Sequence, residues 1–501
     1  MNVFVKTSMR IRKYFNYHQN VALAAICAHS VSISIGICQG YSAILLPQLN
    51  ETEKYRSLTE DEKSWIASLG TITNPVGSML SGFLAEFMGR RRAIQITALP
   101  LVLGWMCFGL AQNIYWLYAG RLITGVAAGM SPACYTYVGE ISTSENRGFM
   151  QTLGPICASF GILLTYVLGY FYIWSTVAYI NISMAILSAI VIQLVPESPS
   201  YLLKNHQQAK AFKTLLWLRG NNALAQQEID RFNENQKESN SNLMSFREMY
   251  FGPQTVKPFL ILVGLFFLQE FSGIYTLLFY AVNFFEETDL SINEYIASII
   301  VGAIRFSMSV VIAFLINIYG RKILCTMSSI GMATTMSIVA VYIKYYEFYP
   351  DEKKILSYLP LIGVMANVAF SMVGMLPVPW VMVGEMFPLR VRPIMSGVVV
   401  SIAQILIFIC VKIYINMNSA LNFSGTLMVF VAASVISAFY SKFILIETKN
   451  KTLEEIEAFF RGNKKNVDVN TDTGVDNKAF NMFSENLDEN RVNTIRVIVE
   501  T

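Results

Sequence analysis

Two charged residues stand where charge is expensive. Glu270 and Arg305 each lie inside a long apolar run, and an Arg or Asp at mid-bilayer depth costs about 2.5–3.5 kcal/mol on insertion scales. Intramembrane charges mark a solute or ion path by default. A carboxylate and a guanidinium can face each other or share a polar solute between them, and Glu270 can also take up protons. The bland alternative is a structural salt bridge filling a cavity, since buried pairs are tolerated without adding stability.

A second set of charges recurs in order. Gly89-Arg90-Arg91 is echoed by Gly320-Arg321-Lys322, Glu140…Arg147 by Glu385…Arg392, and Pro196-Glu197-Ser198 by Ile446-Glu447-Thr448. Carboxylates and guanidiniums on adjacent helix ends can pair, with the helix termini adding partial charge. Exposed pairs alone are worth about 0–1 kcal/mol; a shielded network can latch two halves of a protein together. Glu86, Arg90, Arg91, Glu140 and Arg147 would serve one half, and Arg321, Glu385 and Arg392 the other. Arg92 and Lys322 read more simply as topology signals.

Other chemistry is excluded or unremarkable. His18, His29 and His206 have no metal spacing, and the seven cysteines lie in apolar stretches without a CxxC, as small buried hydrophobes. No metal or cofactor is expected. No Walker motif is present, and no nucleophile, base and oxyanion donors gather, so the chain does not read as an enzyme. A formal charge of +4 is too small to suggest nucleic acid.

These residues need elements to hold them. The chain has 501 residues, 54% hydrophobic and 14% charged, against about 25% charged in soluble domains. It reads as an all-α, polytopic membrane protein. A span needs about 20 mostly apolar residues, and this predicts twelve, near 22–46, 65–87, 93–111, 115–138, 149–171, 175–195, 258–284, 294–318, 323–346, 356–383, 394–416 and 423–446. The first follows Lys6, Arg10, Arg12 and Lys13 with no cleavage site, so it reads as a span and not a signal peptide. Basic residues fall on one side of the alternating spans and Glu286, Glu287 and Asp289 on the other, which puts both termini in the cytosol. The sequon Asn50-Glu51-Thr52 then lies outside, a glycosylation candidate; Asn422-Phe423-Ser424 is outside but close to the bilayer, and Asn450-Lys451-Thr452 is cytosolic.

The expected organisation is a cytosolic arm (1–21), a six-helix bundle (22–195) and a cytosolic linker (196–257) with short amphipathic helices such as Ala209 to Gly220. A second six-helix bundle (258–446) and a cytosolic tail (447–501), largely disordered after about 463, complete it. The motifs recur after the second, fourth and sixth spans of each half. That implies two bundles related by an axis along the membrane normal, a repeat typical of carriers that rock about a central site.

The motifs together make the chain resemble the sugar-porter family of the major facilitator superfamily, most of all its insect facilitated trehalose transporter branch. The resemblance covers about 20–460. It rests on Glu86-x2-Gly89-Arg-Arg, Arg121-x3-Gly125-x3-Gly129, Glu140-x6-Arg147-Gly148, Pro196-Glu-Ser-Pro199 and Leu216-Trp-Leu-Arg-Gly220. It continues through Gln269-x2-Ser272-Gly273-Ile274, Gly320-Arg-Lys322, Pro377-Val-Pro379-Trp380, Glu385-x6-Arg392 and Glu447-Thr448-Lys449. Gly384-Glu385 matches the insect branch better than the Ala-Glu of vertebrate glucose carriers.

The resemblance implies alternating access and a sugar bound mid-membrane. It assigns solute contacts to Gln269 and Trp380, with Glu270, Tyr275 and Arg305 at positions where the family has Gln, Asn and Asn, and Gln39 in the polar patch of the first span. It assigns gating to Tyr280 and, with the charged residues above, to Arg121, Glu197 and Glu447. The fifth-span Gln is replaced by Pro155, the tenth-span Gly-Pro-Gly by Gly374-Met375-Leu376, the eleventh-span Asn-Trp by Ala403-Gln404, and an acidic rim residue by Asn317. The first span also lacks the acid of proton symporters. The expected protein is therefore a monomeric, plasma-membrane, facilitative carrier of trehalose or a hexose, working within the lipid bilayer. The alternatives are a carrier of another polar solute on the same scaffold, or a transport-dead sensor paralogue. Gly125 and Gly129 read as packing, and Lys412 as a snorkelling side chain.

Overall fold

The computed structural model describes residues 2–52, 58–143, 146–241, 246–282, 284, 293–349, 351, 356–388, 391–449, 451 and 453–461. The side chains of the basic arm, His18 and Asn317, together with Glu286, Glu287, Asp289, Arg390, Asn450 and the tail beyond 461, lie outside the described residues.

The first half starts with α1 (Asn2–Glu51). Thr59 then opens α2 (Glu60–Ile72) with a capping box: its backbone N–H donates to Glu62, whose own N–H donates to the Thr59 hydroxyl. Pro75 and Pro132 restart helices rather than running through them, so two expected spans are broken. The span at 65–87 is α2 plus α3 (Asn74–Met88), and that at 115–138 is α4 (Ile114–Gly129) plus α5 (Pro132–Ile141). Between these pairs lies the third stretch, Arg90–Ile96 and Ala98–Gly109. The half closes with α6 (Arg147–Phe171) and α7 (Trp174–Val191).

The linker folds as α8 (Pro199–Lys204), α9 (Gln208–Arg219), α10 (Asn222–Ser241) and α11 (Phe246–Phe251). Leu202, Leu203, Ala211, Leu215, Ala225 and Ile229 bury one another in a small core of their own. Arg219 fixes this unit to the first half, donating to the Ile141 carbonyl at 2.8 Å while pairing with Glu228 at 2.6 Å.

The second half runs α12 (Pro253–Phe271), α13 (Ile274–Phe279), α14 (Glu294–Ile318), α15 (Arg321–Phe348), α16 (Leu359–Val373), α17 (Val378–Glu385) and α18 (Arg392–Phe443). Gly273, at φ +83, makes the break between α12 and α13, a left-handed conformation that glycine adopts without strain. The two last expected spans form one helical run, α18, interrupted at Asn422 (φ 59, ψ 171). Among the described residues, nine helical runs are long and apolar enough to cross a membrane. The two broken spans and the fused pair account for the difference from twelve.

The halves meet where α6 packs on α14, and where α2 and α3 pack on α18. Within the first half, Gly125 and Gly129 of α4 lie against the Gly70 and Asn74 carbonyls, so a Cβ at either would overlap backbone. That close approach is the packing role their spacing suggested. A final helix, α19 (Leu453–Arg461), was not anticipated. It docks Ile456 and Phe460 against the second half, and the Phe460 carbonyl accepts from Lys257. The spacing of Leu453, Ile456 and Phe460 (i, i+3, i+7) was the available signal.

Candidate solute site and its gates

The break between α16 and α17 exposes carbonyls in the bundle interior. Gln269 uses its Nε2 on two of them, donating to Met375 at 2.8 Å and Leu376 at 2.9 Å, while its Oε1 stays buried without a partner. Glu270 follows directly, fully buried, and neither carboxylate oxygen has a hydrogen-bond partner. Arg305 on α14 is 8% exposed, its Nε also unpartnered. The structural salt bridge weighed as an alternative is not formed: neither residue occurs among the described salt bridges. Tyr275 lies within electrostatic reach of both charges. The Trp380 indole reaches the Tyr275 hydroxyl and packs edge-on to Phe266 at 5.1 Å.

Arg305 lines a small cavity with Tyr166, Ile274, Leu277, Val301 and Val364. Tyr166 donates its hydroxyl to the Leu278 carbonyl at 3.0 Å, tying α6 to α13 across the halves. Tyr280 donates to the Val411 carbonyl and stacks near Tyr414 at 4.8 Å. Gln39 is half-buried on α1. Arg121 lies 2% exposed in the first half, away from the charge clusters at the helix ends. It donates to the Cys38 carbonyl and the Ser42 hydroxyl and stacks over Tyr41 and Phe108.

At the end of the bundle that carries the linker, the two halves build the same node twice. Arg90 pairs with Glu140 at 3.0 Å and donates to the Ala85 carbonyl; Arg321 pairs with Glu385 at 2.8 Å and donates to the Ile316 carbonyl. Glu197 accepts from the backbone N–H of Arg91, and Glu447 from those of Arg321 and Lys322. Ser198 and Thr448 cap Glu140 and Glu385 with their hydroxyls. Glu86 adds pairs to Arg90 and Lys204.

Two expectations are corrected here. Glu140 and Glu385 pair with the Gly-Arg arginines, not with Arg147 and Arg392. Those two donate to the carbonyls of Gly139 and Phe387, because they sit just past the helix end where free carbonyls collect. In this structure the Arg90–Glu140 and Arg321–Glu385 pairs each join helices of one half.

A model of the sugar (and other) transporter family matches residues 23–460. The chain belongs to that family. It is 30% identical over 436 residues to the facilitated trehalose transporter of Bombyx mori, spanning 87% of this chain and 86% of that one. A homologue of a facilitated trehalose transporter in Drosophila simulans is 29% identical over 475 residues, 93% of this chain and 96% of its own. Among solved structures, the proton:xylose symporter XylE bound to 6-bromo-6-deoxy-D-glucose superposes with a TM-score of 0.74 at 22% identity, covering 88% of this chain and 99% of that one. That likeness establishes the two-bundle major facilitator fold, and with it a multi-pass membrane protein.

Within this family scaffold, the cross-half contacts escaped the sequence. Lys412 on α18 reaches α2, bonding Asp61 and the Ser64 hydroxyl and lying over the Trp65 ring at 4.4 Å. Snorkelling therefore does not account for it. Residue 412 stands twenty residues along α18 from Arg392, about 30 Å at 1.5 Å per residue, so this seam lies at the face opposite the linker. Deeper along it, the amides of Asn74 and Gln404 bond at 2.6 Å. No local motif marks such partners, which are some 330–350 positions apart. Among the described residues no cluster of His, Cys, Asp and Glu could hold a metal. His29 sits in the core beside Ser32 and the Tyr135 ring. Asn50 is half-buried in the last turn of α1, and the sequon's Thr52 hydroxyl is donated to the Gln48 carbonyl.

Proposed function

We propose that the chain is a facilitative sugar carrier, for trehalose or a hexose, that works by rocking its two bundles about the interior lined by Gln269, Tyr275, Arg305 and Trp380. The reading places it in the plasma membrane as a monomer with twelve passes, both termini and the linker in the cytosol, and no catalytic activity of its own. Family membership and the trehalose transporters among its relatives support the substrate class. The observation that carries the mode is Arg121. Its guanidinium donates to a carbonyl and a hydroxyl and lies over two rings, and among the described residues no carboxylate pairs with it, which favours a cycle that no acid at this buried arginine drives.

Uptake of labelled trehalose and glucose into proteoliposomes tests this, with and without an imposed proton gradient. Saturable flux insensitive to the gradient is expected. Flux that collapses without the gradient would refute the facilitative mode, and absent flux of every sugar would favour a sensor. A second reading, another polar solute on the same scaffold, draws on the unpaired Glu270 and Arg305 and on Pro155, which replaces an amide. A panel of polyols and amino sugars in the same assay separates it.

A further inference from the structure

We propose that the cavity beside Arg305 is a binding site for a monovalent anion, held by the Arg305 guanidinium. The proposal rests on the carrier reading above and extends it to the charge of what the site accepts.

Arg305 cannot shed its proton inside a protein, and a buried charge is costly unless it is paired or hydrogen-bonded, as Arg121 is. Among the described residues nothing pairs with it. Arg305 is absent from the described salt bridges and hydrogen bonds, and its Nε is buried with no partner. The groups within electrostatic reach of it are the phenols of Tyr166 and Tyr275, with no carboxylate among them. Tyr166 has spent its proton on the Leu278 carbonyl. The remaining walls, Ile274, Leu277, Val301 and Val364 among them, are apolar. Glu270 lies on α12, and neither of its carboxylate oxygens has a hydrogen-bond partner.

A guanidinium facing an apolar hollow, with no internal counter-charge, leaves the missing negative charge to a ligand. Its planar fork suits a carboxylate, and its charge suits a halide equally. The anion is thus either the carboxylate of a transported sugar acid or a free halide that occupies the site beside a neutral sugar. Both have the same chemistry at Arg305, and they differ in what else must be present.

The test uses the full-length protein in nanodiscs. Thermal unfolding and tryptophan fluorescence are followed while sodium chloride, sodium glucuronate or neutral glucose is titrated in. The sodium salt of a bulky sulfonate holds ionic strength constant. Saturable stabilisation by chloride assigns the free anion; stabilisation by glucuronate but neither chloride nor glucose assigns the solute's own carboxylate. In either case Arg305→Gln weakens the response about tenfold or more, and Arg305→Lys, which keeps the charge but loses the fork, falls between. In anion-free buffer Arg305→Gln melts no lower than the unsubstituted protein, because an unpaired charge has been removed. The proposal is overturned if neither anion stabilises the protein, or if Arg305→Gln unfolds in anion-free buffer, which would make Arg305 a structural residue. Proteoliposome uptake of neutral sugar and of glucuronate, measured in parallel, judges the carrier reading separately: uptake of both that is indifferent to every anion and to Arg305→Gln refutes the anion site alone, whereas saturable anion binding without uptake of either refutes the carrier alone.

Discussion

The linker face and the face opposite it are built from similar groups to different ends. On the linker face, Arg90 with Glu140 and Arg321 with Glu385 repeat one design, each closed inside its own bundle. On the opposite face Lys412 with Asp61, and deeper in Asn74 with Gln404, cross between bundles once, without a repeat. The internal repeat of the two halves accounts for the contrast if it arose by duplication. A contact internal to one half is copied with the half, whereas a contact between halves has to arise afresh. On the carrier reading proposed above, the repeated nodes would stiffen each bundle and the unrepeated seam would bias which face is closed. The charges that look most like a gate in sequence pair within their own bundles, and the described pair that crosses between bundles is made by residues that no motif announces.

The nodes should give the largest losses. Arg90→Ala strands Glu140 next to Glu197 with only Ser198 to satisfy it, and breaking a shielded pair of this kind costs about 3 kcal/mol. Arg321→Ala should cost less, about 2 kcal/mol, since the side chains of its pair are 14% and 28% exposed against 9% and 19% for Arg90 and Glu140. Thermal unfolding of the purified variants checks both. If Arg90→Ala changes the balance of open faces but leaves the melting temperature in place, the node is a latch after all and the contrast fails.

Gln404→Ala comes next. It removes the partner of the Asn74 amide at a buried point of the seam, a loss of about 1 kcal/mol. The signature that separates seam from brace is a change in the alkylation rate of a cysteine placed at Phe408, which packs on Trp65 across the same seam. An unchanged rate would mean that this hydrogen bond does not distinguish the two faces.

How much of this could be read beforehand follows the same division. Long apolar runs placed the helices well, because burial in lipid requires continuous hydrophobicity regardless of tertiary detail. Pro75, Pro132 and Gly273 were visible breakpoints, yet a hydropathy window averages across them and predicts unbroken spans. Asn422, which interrupts α18 at positive φ, is a residue type that tolerates that φ, but it sits in a run whose hydropathy reads as continuous. At the site, Gln269 could be anticipated as a polar interior group, but its use on the Met375 and Leu376 carbonyls depends on a break in another helix. Glu270 and Arg305 were conspicuous as costly charges. Their failure to meet was not foreseeable, since residue type reveals the expense of a charge and not the direction in which its side chain leaves the helix.

The smallest effect on stability, and the sharpest test of the comparison, lies in the Lys412–Asp61 pair. Asp61 is 67% exposed at its side chain, so the pair contributes only about 0.5 kcal/mol and either single neutralisation should leave the melting temperature almost unchanged. Its consequence is conformational. If the pair exists only while this face is closed, that small energy biases the closed state by about twofold, and Lys412→Ala and Asp61→Ala should each raise the alkylation rate at the seam by that factor. The two effects should not add in the double variant, because they remove one interaction. The charge swap Asp61→Lys with Lys412→Asp should restore the original rate. Raising salt to 1 M, where the screening length is about 3 Å, should open the seam of the unsubstituted protein by a similar factor while the shielded Arg90 node stays intact. Additive single effects, or a seam indifferent to salt, would mean that the Trp65–Phe408 packing and the Asn74–Gln404 amides hold this face shut and that the Lys412 pair merely sits over them.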